Sequence, residues 1–193
     1  MKEVHSVKMG YSTDPLIIIE KYYDRNSTAY DILVAHAKAV TGKSLEIAGR
    51  LGYGRPDTRF IEEAAMLHDI GIFRTNEPGI GCHGDKPYIC HGYLGREILE
   101  REGLPRHAVV CERHVGVGIT VEDIDRNGLP LPRHDMRPLT IEEKIICFAD
   151  KFFSKRPDSL GRERPIDEVR KSIARYGPDK LKIFDKMFVL FNT

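Results

Sequence analysis

Tryptophan is absent from the 193 residues, and no apolar run is longer than a handful of positions. The stretch at 16–19 is typical, whereas crossing a bilayer takes about 20 residues. A signal-peptide core is lacking too, so neither membrane insertion nor export is expected. The chain also lacks an excess of either charge: 30 basic and 29 acidic residues give a net charge of +1. No global field therefore draws it to a nucleic acid polymer or a membrane surface, and any preference for anions has to come from local Arg and Lys. Cysteine is sparse. Cys82, Cys90, Cys111 and Cys147 include no Cys-x-x-Cys pair, which points to reduced thiols in a cytoplasmic protein and away from a disulfide frame or structural zinc. Internal repeats and low-complexity tracts are missing as well.

What remains is an ordinary globular composition, 41% hydrophobic and 31% charged, long enough for one domain with a proper core. Helical signals dominate. Residues 1–11 carry little periodicity and read as a loose arm. Ser12-Thr13-Asp14-Pro15 starts a short helix over 16–23. Asn26-Ser27-Thr28 caps a longer one, whose apolar stripe runs through Ile32, Leu33, Ala35, His36 and Ala39, then Leu45, Ile47 and Ala48 toward Leu51. Gly42 is a place for that helix to bend or divide. Gly52, Gly54 and Pro56 make a turn, and Asp57 or Thr58 caps a third helix. A Gly- and Pro-rich loop at 72–87 is long enough to be functional or mobile. Further helices are expected over 88–102, from Pro105 to His114, in a small polar piece after 121, from a Thr140-x-x-Glu143 capping box, and near 165–175 and 178–190. Strand signals are weak. The expected fold class is all-α, a single domain over 1–193 with its core at about 28–155 and the C-terminal helices at 165–190 packed on it.

The third helix carries the oddest feature. It runs Glu62-Glu63-Ala64-Ala65-Met66-Leu67 on a core-facing stripe, then ends in His68-Asp69 before Gly71. Adjacent helical residues point about 100° apart, so both side chains reach one point only near the helix end. An imidazole and a carboxylate aimed at one spot make half a metal site. Other residues are equally out of place. His36 lies on the apolar stripe, His91 begins a helix, His114 ends one, and Asp150 interrupts Ile145-Ile146-Cys147-Phe148-Ala149. A buried carboxylate there is costly without a partner. Helix bundles build metal sites from inward-pointing His and carboxylates on facing helices.

The ordered set His36, His68-Asp69, His91, His114 and Asp150 resembles the HD-domain metalloprotein superfamily, and His68-Asp69-Ile70-Gly71 matches a common form of its central motif. The resemblance covers about 28–155 and implies an HD-domain helical bundle. The two additional histidines, His91 and His114, are similar to those of the branch that holds two metals. On that reading Asp69 bridges two ions, His36, His68 and Asp150 complete the shell of one, and His91 and His114 serve the other. Imidazole mixed with carboxylate suits iron or manganese, with magnesium, cobalt, nickel or zinc compatible.

Two chemistries compete for such a centre. As a phosphohydrolase it would act on a phosphoester or phosphoanhydride, with two ions about 3.5–4 Å apart and cations nearby to take up charge. Arg113, Lys151, Lys155, Arg156, Arg74 and Lys86 are available. His91-Gly92-Tyr93-Leu94-Gly95 and the segment 141–151 also resemble bacterial HD hydrolases of nucleotides, which implies a small phosphorylated, nucleotide-like substrate. The alternative is a mixed-valence di-iron oxygenase, which some superfamily members are, or a non-catalytic metal-binding regulatory domain; the ligand set does not separate them. Ile72 and Phe73 stand where some relatives place a catalytic acid, base or lysine, so chemistry would fall to metal-activated water assisted by Asp69 or a loop residue such as His83. The catalytic candidates are therefore Asp69, His83, Arg113 and Lys151. His5, His107 and His134 receive no role, and a homo-oligomer remains open.

Overall fold

A long helix forms the spine of the molecule. In the computed structural model, which describes residues 14–51 and 56–191, α2 runs without a break from Thr28 to Arg50. Ser27 starts it by accepting from the Tyr30 amide at 3.2 Å. Gly42 neither bends nor divides this helix; it sits exposed in mid-helix, where a glycine costs stability without forcing a kink. The buried stripe is Ile32, Leu33, His36, Ala37, Val40, Ser44, Ile47 and Ala48, so Ala37 and Val40 take the core places expected of Ala35 and Ala39. Before it, α1 spans only Pro15–Ile19, capped by Asp14, and the chain turns over 20–22 where the helix was expected to continue. The arm expected at 1–11, with His5, the cap residues Ser12 and Thr13, and the turn glycines Gly52 and Gly54 lie outside the described residues.

Asp57 caps α3 (Thr58–Leu67) through the Phe60 amide, and α3 packs along α2. The loop at 72–87 is more structured than its composition indicated. It holds 3-10 turns at Ile72–Arg74 and Pro78–Ile80 and a two-residue hairpin, β1 (Asn76–Glu77) with β2 (Cys82–His83). Backbone bonds from Asn76 to Lys86 and from Gly84 to Thr75, both 2.8 Å, tie its two ends together. A 3-10 turn at Tyr88–Cys90 then leads into α4 (His91–Arg101), which packs against α5 (Pro105–Arg113). Next come α6 (Val121–Asn127), α7 (Ile141–Asp150), α8 (Ile166–Ala174) and α9 (Pro178–Phe191). Only half of the capping box at α7 forms: Thr140 accepts from the Glu143 amide, but the Glu143 carboxylate accepts from Leu139 and Arg113 instead. The full reciprocal box is Thr120 with Asp123 at the start of α6.

Two apolar clusters meet beneath the site. One gathers Val40, Ile47, Phe60, Ile61, Ile145, Phe148, Phe184 and Phe191 from α2, α3, α7 and α9. The other gathers Ile19, Leu33, Ala37, Leu67, Ile98 and Cys111 from α1, α2, α3, α4 and α5, with Ile70 from the turn after α3. Their boundary passes between Ala37 and Val40 on α2 and between Ala65 and Met66 on α3. His36 and His68 therefore stand at a seam, where side chains from both halves of the bundle converge. The fold is all-α apart from the small hairpin, and no described helix is long and apolar enough to cross a membrane. All four cysteines are free and buried.

Candidate metal centre

Helix ends place five of the six converging side chains. His68 is the C-cap of α3 and Asp69 follows it; His91 opens α4, His114 is the C-cap of α5, and Asp150 closes α7. His36 alone comes from mid-helix, on the buried face of α2. All six are buried, with His36, His68 and Asp69 fully so.

Three of the histidines share a local device. Nδ1 of His68, His91 and His114 lies 2.6, 2.6 and 2.7 Å from the carbonyl oxygen three residues back, on Ala65, Tyr88 and Cys111. A carbonyl only accepts, so each Nδ1 carries a proton and each Nε2 turns toward the interior, where the neutral rings of His91 and His114 present lone pairs. The Nε2 atoms of His91 and His114 are then 3.1 Å apart, and each is 3.4 Å from Oδ1 of Asp69. Two lone pairs held that close call for a cation between them. A proton does not fill that need, because burial pushes His91 down to about 3 and lowers His114 too.

On the other side of Asp69, Oδ2 is 3.1 Å from His36 Nε2 and 2.9 Å from His68 Nε2. Oδ1 of Asp150 is 3.0 Å from the first and 3.6 Å from the second. Despite these distances, both Asp69 oxygens and His68 Nε2 have no well-aligned hydrogen bond. Close but off-axis atoms of this kind aim at common points and not at one another. Two sets result, His36, His68, Asp69 and Asp150, and Asp69, His91 and His114, each with ligand atoms all within 4.8 Å. Asp69 belongs to both, one oxygen on each side. The residues fit divalent metal ions.

Charge reinforces the geometry. Burial works to lower His68, but the carboxylates of Asp69 and Asp150 outweigh it and lift that ring to about 9. Burial likewise works to raise Asp69 and Asp150; His68 and Lys155 hold the first well below the usual carboxylate range, and Lys151 with His36 does so for the second. Both carboxylates are therefore ionised and ready to ligate at neutral pH.

This arrangement coincides with a family match over residues 33–154, described as HD domain. The chain belongs to the HD domain family. It is 37% identical over 149 residues to an uncharacterized protein of Methanocaldococcus jannaschii, covering 74% of this chain and 76% of that one. It is also similar to the tRNA (cytidine(56)-2'-O)-methyltransferases of Picrophilus torridus, 34% over 131 residues, and Thermoplasma volcanium, 35% over 146. Those alignments cover 67% and 74% of this chain, but it spans only 34% and 38% of the two methyltransferases. No solved structure matches the chain.

Among the other catalytic candidates, Lys151 lies at the centre, its Nζ 2.6 Å from Oδ2 of Asp150 and 3.0 Å from the His114 carbonyl. Arg113 does not face the centre. Its guanidinium donates to Glu143 at 3.0 Å, because one residue before His114 on a helix points to a different face. His83 does not reach over the site either: it is exposed on β2, and among the described residues it makes no hydrogen bond or ion pair with the cluster. Of the remaining basic residues, Arg74 pairs with Glu97, Lys86 with Asp85, and Arg156 is exposed. His107 and His134 are engaged with Glu63 and Glu112. Two more residues adjoin the centre: Lys155, one of the basic residues noted in the sequence, and Tyr88, which the sequence did not single out. Lys155 brings Nζ to 2.6 Å from Oδ2 of Asp69, and Tyr88 lies beneath that ammonium, its ring centroid 6.0 Å away. The segment holding Lys155 is irregular, so spacing alone gave no signal for its direction.

Proposed function

We propose that this protein is a metal-dependent phosphohydrolase with a dinuclear centre, acting on a small phosphorylated molecule of nucleotide type. The observation that carries the reading is the shared carboxylate: Asp69 offers one oxygen to each histidine set while a lysine ammonium lies against it. Bound divalent ions supply Lewis acidity toward phosphoryl oxygens and lower the pKa of water. His36, His68, Asp69 and Asp150 would hold one ion, and Asp69, His91 and His114 would hold the other. The carbonyls of Ala65, Tyr88 and Cys111 fix the ring orientations of His68, His91 and His114 and turn their Nε2 atoms toward the centre. Lys151 and Lys155 counter the negative charge that a phosphoryl group brings to a site already holding two carboxylates. Mixed imidazole and carboxylate ligands favour manganese or iron over the thiolate-bound metals.

Similarity to the methyltransferases covers about a third of their length, so the activity they are named for stays with those larger proteins. The test is an anaerobic assay of manganese-loaded protein against nucleotides and phosphoesters. Phosphate release in the absence of oxygen is the expected result. Oxygen uptake by the iron-loaded form, with no phosphate released from any substrate, would replace this reading with that of an oxygenase.

A further inference from the structure

The His68-Asp69-Ile70-Gly71 stretch is followed by Ile72 and Phe73, which offer no charge to a substrate. The cation that lies against Asp69 comes from another segment. Past the end of α7, residues 151–156 leave the helix and are pinned from outside: the Arg164 amide donates to the Phe152 carbonyl at 2.8 Å, the Arg164 guanidinium donates to the Lys151 carbonyl, and Ser154 bridges to Leu160. This turn points Lys155 inward, with its side chain only 13% exposed.

Lys155 differs from every other cation near the centre. Lys151 commits donors to the Asp150 carboxylate and the His114 carbonyl, while Arg113 and Arg74 are held by glutamates. Lys155 has its ammonium on Oδ2 of Asp69 and over Tyr88, whose hydroxyl it also meets. It is the cation set against the carboxylate that both histidine sets share, so a phosphoryl oxygen arriving at that edge meets it. Tyr88 is fixed in turn, because its own carbonyl takes the His91 Nδ1 proton and its ring lies 4.7 Å from that imidazole. One aromatic residue thus braces a ligand of one set and the cation beside the other. We propose that Lys155 is the residue that anchors the substrate phosphoryl group over the Asp69 edge of the centre, and that Tyr88 is the positioning residue that holds its ammonium there. The proposal rests on the hydrolase reading for its substrate class, but phosphate binding tests it without turnover.

The experiment loads the protein with manganese and follows the broadening of the inorganic phosphate phosphorus-31 resonance, which reports phosphate held close to the paramagnetic ion. Wild type is expected to broaden it saturably. Lys155→Met should weaken phosphate at least about tenfold, the worth of a charge-assisted hydrogen bond, with manganese content unchanged. Tyr88→Phe, which leaves the buried charge in place, should weaken it about threefold. The Tyr88→Phe result also decides the matter if Lys155→Met does not fold. Phosphate affinity at the wild-type level in a fully loaded variant overturns the proposal, as does loss of manganese in step with loss of phosphate, which would make Lys155 a structural counter-charge. If wild type binds phosphate in this way yet hydrolyses nothing, the hydrolase reading fails while the anchor stands.

Discussion

Asp69 is where the chemistry of this molecule concentrates, because its two oxygens serve two histidine sets from a fully buried position. Asp69→Ala is expected to lose both ions, as elemental analysis will show, and turnover should fall to background. Full metal content in that variant would remove the bridging role. His68 adds a proton-linked prediction. The carboxylates that lift it to about 9 keep it charged at neutral pH in the ion-free protein. Metal uptake at pH 7 should therefore release about one proton from this ring, measurable by calorimetry in two buffers of different ionisation enthalpy. Arg113 is a residue-scale case of the opposite kind. Its guanidinium bonds Glu143, which also caps the Leu139 amide. Arg113→Ala should lower the unfolding free energy by about 1–2 kcal/mol in urea while leaving phosphate affinity unchanged.

At the scale of elements, the site depends on how closely α4 approaches the end of α3. A Cβ on Gly71 would stand 2.3 Å from the His91 carbonyl oxygen and 2.5 Å from the Gly95 amide nitrogen. Both obstacles are backbone, so α4 would have to move, carrying His91 away from Asp69. Gly71→Ala should therefore lose at least about 2 kcal/mol of stability in urea titration, with reduced metal content. The helices themselves were largely legible in the sequence. Asp57 before the α3 stripe and Pro105 at the first position of α5 are local signals with local causes. The hairpin in 72–87 was not legible, because two-residue strands have no periodicity to read and form only through backbone bonds across the loop.

The whole molecule should show a stability maximum when freed of metal. Burial depresses His91 from 6.5 to about 3, so its contribution is present above the unfolded value and lost as pH falls from about 6.5 toward 3. His68 is raised to about 9, so its contribution is present below the unfolded value and lost as pH climbs from about 6.5 to 9. Ion-free protein should accordingly have its highest urea midpoint near pH 6.5, declining on both sides. A midpoint that keeps rising through pH 9 would contradict the charge state assigned to His68. Restoring manganese should raise thermal stability at pH 7, because ions bound only by the folded chain shift the equilibrium by mass action.

The sequence by itself determined which residues are out of character for their helices: a carboxylate inside an apolar run at Asp150, a histidine on a core stripe at His36, and His68-Asp69 before Gly71. Those are local facts, because helical periodicity says which side chains must turn inward. Only the tertiary structure decided which charges meet there. Lys155 comes to Asp69 because Arg164 and Leu160 fold an irregular segment back on itself, and Arg113 turns to Glu143 although it neighbours His114 in the chain. A side chain outside a regular element takes its direction from distant contacts, and no spacing in the sequence encodes them.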